Sequence, residues 1–127
     1  MGELQPDTLV VVAGTNDITY DTHAGVADPK HIAEKVVNIG RDAPNVSDIH
    51  IFGITRRRDN DVKRLIEQTN LEIRLLCEQS GFHFVDTSDI EVRDLDRDGL
   101  HLNPGGTKKI MQKILECNSS FNPFLSA

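Results

Sequence analysis

Three short apolar runs alternate with three longer segments of helical periodicity. That alternation constrains the fold more than any other feature of the chain. The runs are Thr8 to Ala13, Asp48 to Ile54 and Phe82 to Asp86. Short apolar runs bounded by polar residues suit strands buried on both faces of a parallel sheet. Between the first two, Asp28-Pro29 pairs an N-cap residue with proline at the first helical position. Ile32, Ala33, Val36, Val37 and Ile39 follow at near-helical spacing, which predicts a helix from about Pro29 to Asp42. Val62, Leu65, Ile66, Thr69, Ile73, Leu76 and Cys77 then repeat on one helical face, predicting a second helix from about Asp61 to Gln79. Asp59 or Asn60 suits its start, and Gly81 the position just past its end. Asn103-Pro104 opens a third helix, carrying Ile110, Met111, Ile114 and Leu115 to about Cys117.

Strand-helix alternation of this kind predicts an α/β domain with a parallel sheet and right-handed crossovers. At 127 residues the chain suffices for one small domain. We expect that domain to span 1–117, with a loosely ordered tail over 118–127. In parallel sheets, sites lie beyond the carboxyl ends of the strands. The loop Gly14-Thr15-Asn16-Asp17 after the first run and the segment from Asp98 to His101 after the third are therefore the places to look.

Composition excludes some functions. The 20 acidic residues outnumber the 14 Lys and Arg, for a net charge of −6, and there is no Trp. Nucleic-acid binding, which needs clustered basic charge, is not expected. The one basic run, Arg56-Arg57-Arg58, reads as a solvated loop, with contact to an anion as the alternative. Cys77 and Cys117 match no metal spacing and read as small, half-buried apolar residues. His50 and His83 lie inside strand runs and read as packed residues. No cofactor and no metal ligand set is expected. No signal peptide or membrane span is visible, and the compartment is left open.

The segment Asp94 to Gly106, "DLDRDGLHLNPGG", admits two readings. Asp94, Asp96, Asp98 and Gly99 fill the first positions of a calcium loop. Position twelve of that loop requires a bidentate Glu and here is Gly105, so the calcium reading fails. Asp94 and Asp96 then read as surface acids. The second reading is an acid–base pair, in which Asp98 orients His101 across the turn that Gly99 permits. A histidine base near neutrality, a carboxylate behind it, and an aimed amide such as that of Asn16 for a developing oxyanion are the parts of a serine hydrolase.

Two blocks, "VVVAGTND" from Val10 to Asp17 and "DGLHLNPGG" from Asp98 to Gly106, resemble those of the SGNH hydrolases, the GDSL-type esterases and lipases. The resemblance runs from about Pro6 to Cys117. It implies a three-layer αβα, flavodoxin-like fold, with Asp98 and His101 catalytic and Asn16 in the oxyanion hole. It further implies Gly14 as the turn residue and Asp17 as support for that loop. It also exposes a departure. The family's nucleophile sits in a Gly-Asp-Ser block ahead of these two, and no Gly-Asp-Ser occurs among these 127 residues. None of the six serines stands in an equivalent context, Ser88 coming nearest.

The resemblance thus implies a carboxyl-terminal part of the fold, with the first two strands and the nucleophile block missing. As an enzyme it would act on a small ester once completed, and would be inactive alone. The alternative is a non-enzymatic module that pairs through an exposed strand edge, with a second copy or with a complementing chain.

Overall fold

The structure, a computed structural model, describes residues 8–13, 18, 25, 28–43 and 45–119. Within them lie β1 (Thr8–Val11), α1 (Pro29–Arg41), β2 (Asp48–Phe52), α2 (Lys63–Ser80), β3 (His83–Val85) and α3 (Pro104–Ser119). Single 3-10 turns precede α2 (Asn60–Val62) and break the loop before α3 (Val92–Asp94). The three strands form one parallel sheet in the order β1-β2-β3, as the alternation predicts.

The helix boundaries follow local chemistry. The Asp28 carboxylate accepts from the Lys30 N–H at 3.1 Å and caps α1 ahead of Pro29. The Asp59 carboxylate accepts from Asp61 N–H at 2.9 Å and opens the 3-10 turn that leads into α2. At the other end of α2, Gly81 takes a left-handed φ of 73° and its N–H donates to the Cys77 carbonyl. The strands are shorter than the apolar runs that announced them. β2 ends at Phe52: Gly53 N–H still donates to the Val85 carbonyl of β3 at 2.9 Å, but Asn70, on α2, then accepts from Ile54 N–H at 2.7 Å and donates to the Ile54 carbonyl at 3.0 Å. α3 runs to Ser119, two residues into the expected tail, and 120–127 lie outside the described residues.

Alternate side chains of the sheet enter two cores. Val11, Ile49 and Ile51 pack with Ile32, Val36 and Val37 of α1 and with Ile66, Ile73 and Cys77 of α2. Phe52, Val10 and Val85 pack on the other face with Ile110, Ile114 and Cys117 of α3. Helices on both faces give three layers, α/β/α. Each fully buried aliphatic side chain, such as Ile32 or Ile51, contributes about 1.5–3 kcal/mol. The second core also takes in Ile90, Leu95 and Leu102 from the long β3–α3 loop, which fastens that loop across the sheet. Among the described residues, no helix is long and apolar enough to cross a membrane.

Candidate active site

The loop from Asp94 to Asn103 is closed on itself. Leu95 and Leu102 form an antiparallel bridge, and Asp96 N–H donates to the His101 carbonyl at 2.8 Å. Gly99 N–H donates to the Asp96 carbonyl at 2.9 Å, with Gly99 at a φ of 70°, where a side chain is strained. At the base of the loop Asn103 caps α3, its side-chain oxygen accepting from Gly106 N–H at 2.9 Å. Its amide donates back to the carbonyl of Arg93 at 2.7 Å.

This tight turn brings Asp98 and His101 together. The Asp98 Oδ1 accepts from the backbone N–H of Leu100 and of His101, at 2.9 and 3.0 Å. Its Oδ2 lies 2.5 Å from His101 Nδ1. An ionised carboxylate only accepts, so the proton resides on Nδ1 and Nε2 carries the lone pair. His101 is 72% exposed, with Nε2 on the side of the ring away from Asp98. The hydrogen bond from His101, with those from the two backbone amides, holds the Asp98 carboxyl down at about 2.

A carboxyl depressed in the folded state favours folding above the unfolded value, about 3.9, and loses that contribution as pH falls toward 2. Carbon-detected NMR of the Asp98 carboxyl should therefore show a midpoint near 2. In His101→Ala that midpoint should move up toward the ordinary range. A midpoint that stays put would mean His101 does not hold this carboxylate.

Two residues stand differently from the sequence reading. Asp94, expected at the surface, is buried. Its Oδ2 accepts from Lys109 Nζ of α3 at 2.7 Å and from Glu91 N–H at 2.8 Å, and the Lys109 ammonium holds its carboxyl below the usual range. Asp94 thus ties the loop to the third helix, while Asp96 is exposed as expected. Arg58 is not a free member of a solvated run. Its guanidinium donates to the carbonyls of Arg97 and Asp96, each at 2.9 Å, and its backbone N–H donates to the Gly99 carbonyl at 2.9 Å. Arg58 therefore clamps the Asp98 turn to the loop that leaves β2, which places the turn on the carboxyl side of the sheet. No spacing in the sequence joins Arg58 to a segment about forty residues later.

Gly14, Asn16 and Asp17 lie outside the described residues. Ser88 Oγ donates to Asp86 Oδ2 at 2.9 Å, and its backbone N–H also donates to that carboxylate. Asp86 thereby caps the turn that holds Ser88. Beside it, at the carboxyl ends of β2 and β3, a cleft of about 190 Å³ is lined by Ile54, Arg56, Arg57, Thr87 and Ile90 among others. At the opposite, amino end of the sheet, Asp48, His50 and His83 converge within 4.8 Å. No spacing in the sequence joins the two histidines.

A parallel sheet layered between helices, with a histidine and a carboxylate paired on the loop after the last strand, makes this an α/β/α domain. The profile of the GDSL-like Lipase/Acylhydrolase family matches residues 1–109, and the chain belongs to that family. Among solved structures it is similar to LAE5, an alpha/beta hydrolase enzyme from the metagenome of Lake Arreo, Spain. The TM-score is 0.65 at 20% sequence identity, over 96% of this chain and 64% of that one. At that identity the likeness speaks for the fold, and this chain spans less than two thirds of the length of LAE5. No curated protein matches.

Proposed function

We infer that this chain supplies the general-base arm of a serine ester hydrolase. The observation that carries the reading is the His101–Asp98 pair at 2.5 Å, with the imidazole mostly exposed. In this mechanism His101 Nε2 takes the proton of a serine hydroxyl as its oxygen attacks the ester carbonyl. It then returns the proton to the departing alkoxide. Asp98 keeps the imidazole in the Nδ1–H tautomer and balances the imidazolium. Asn16 donates its side-chain amide to the oxyanion, with Gly14 turning that loop and Asp17 holding it. The serine is supplied from outside these 127 residues, because no Gly-Asp-Ser occurs within them. The substrate is a small carboxylic ester, and the chain by itself does not turn it over.

The test compares two proteins on 4-nitrophenyl acetate. The 127-residue chain should hydrolyse it no faster than its own His101→Ala variant. A version extended at its amino terminus by a segment bearing Gly-Asp-Ser should turn over, and the same substitution should remove that turnover. Robust hydrolysis by the 127-residue chain, abolished by His101→Ala, would sink the inactive reading and place the nucleophile inside it.

A further inference from the structure

We propose that Asp48, His50 and His83 form a binding site for a divalent transition-metal ion, zinc being the expected occupant. The site stands at the amino end of the sheet, away from the Asp98–His101 turn, and is independent of the ester-hydrolase reading. It is built by strand register. Asp48 and His50 are two apart on β2 and so share a face, and His83, the first residue of β3, pairs directly with His50. The His50 and His83 rings stack with centroids 4.5 Å apart and planes 21° apart. Both reach the same carboxylate: His50 Nε2 lies 2.7 Å from Asp48 Oδ2, and His83 Nε2 lies 3.0 Å from Asp48 Oδ1.

Two imidazole nitrogens and one carboxylate oxygen are a donor set that zinc takes with a remaining position for water. The three donor atoms lie within 4.8 Å of one another. A tetrahedral metal at about 2.1 Å from each ligand sets donor separations of about 3.4 Å. The two Nε2–carboxylate distances must therefore open by about half an ångström, and the widest separation close by up to about 1.4 Å, a rearrangement of side chains alone. His83 can supply it, because its side chain is 59% exposed and has room to tilt out of the stack.

Asp48 and His50 are buried, so two of the donors are already held in place. The exposed His83 gives the ion an entry path. On binding, each imidazole shifts its proton from Nε2 to Nδ1 and Nε2 donates its lone pair to the metal. The buried Asp48 carboxylate then faces a dication in place of two N–H groups. The ion would staple the start of β2 to the start of β3.

Isothermal titration of the whole chain with zinc chloride should give one saturable site. His83→Ala, at an exposed position, and Asp48→Asn should each weaken it at least tenfold, while His101→Ala leaves it unchanged. In the unsubstituted chain, the NMR signals of the His50 and His83 rings should shift together on adding zinc, and those of His101 should not. Absence of saturable binding would overturn the proposal. So would a site that survives His83→Ala, or zinc shifts confined to His101.

Discussion

Alanine at position 106 is expected to cost this domain about 3 kcal/mol or more, lowering its thermal midpoint by roughly 10–20 °C. Gly106 sits in the first turn of α3, where that helix meets the 3-10 turn ending at Asp94. A Cβ there would stand 2.4 Å from the Asp94 carbonyl oxygen, 3.1 Å from Asp94 Cβ and 3.1 Å from Leu102 Cδ2. The first of these is a backbone atom and cannot rotate away, so the helix start must move off the loop. That movement would pull on the Asp94–Lys109 ion pair and on the Asn103 cap together.

The neighbouring glycine provides the control. A Cβ at Gly105 would meet only Asn103 Oδ1 at 3.3 Å and Asp94 Oδ1 at 3.8 Å. There the better helix propensity of alanine offsets the crowding, and Gly105→Ala should melt within a few degrees of the unsubstituted chain. Circular-dichroism melts of the two variants decide the matter. Equal midpoints would mean that α3 does not rest on Asp94 as closely as described.

The largest effect on catalysis is expected from Asp98→Asn in the chain extended with a Gly-Asp-Ser segment. Asparagine keeps the shape of the turn and can still accept from the amides of Leu100 and His101. It removes the charge, however, and its amide can donate to Nδ1. The imidazole is then free to place its proton on Nε2, the atom that must receive one from serine. A loss of about 10⁴-fold in kcat follows for triads of this design. KM should change little, since Asp98 touches the base and not the ester. Steady-state kinetics on a nitrophenyl ester measure both. A loss under tenfold would show that Asp98 is not the orienting carboxylate, and a loss carried by KM would place it in ester binding.

Both predictions concern one loop, and that loop divides what could be read from the chain from what could not. The Asp98–His101 pair was legible because it is local. The partners stand three positions apart, glycine stands between them, and the hydrogen bonds that join Asp98 to His101 fall within the segment itself. The cap-and-proline starts at Asp28 and Asn103 were legible for the same reason.

Asp94 was misread. Three acids at alternate positions look alike in a sequence, and which of them is buried depends on Lys109, fifteen residues on and across a helix start. In the sequence Arg58 is one of three equivalent arginines, and its role rests on carbonyls 38 and 39 residues away. His50 and His83 each looked like an ordinary strand histidine until the parallel register set them side by side.

The sequence by itself determined the order of strands and helices, the helix caps and the Asp98–His101 turn. Each follows from hydrophobic periodicity and from hydrogen bonds between residues a few positions apart, whose energies do not depend on the rest of the fold. The tertiary structure alone decided which acid enters the core, which arginine clamps the Asp98–His101 loop and which histidines share a carboxylate. Those choices depend on register and on packing between segments far apart in the chain, where many identical residues compete for each place and only the assembled sheet and helices select among them.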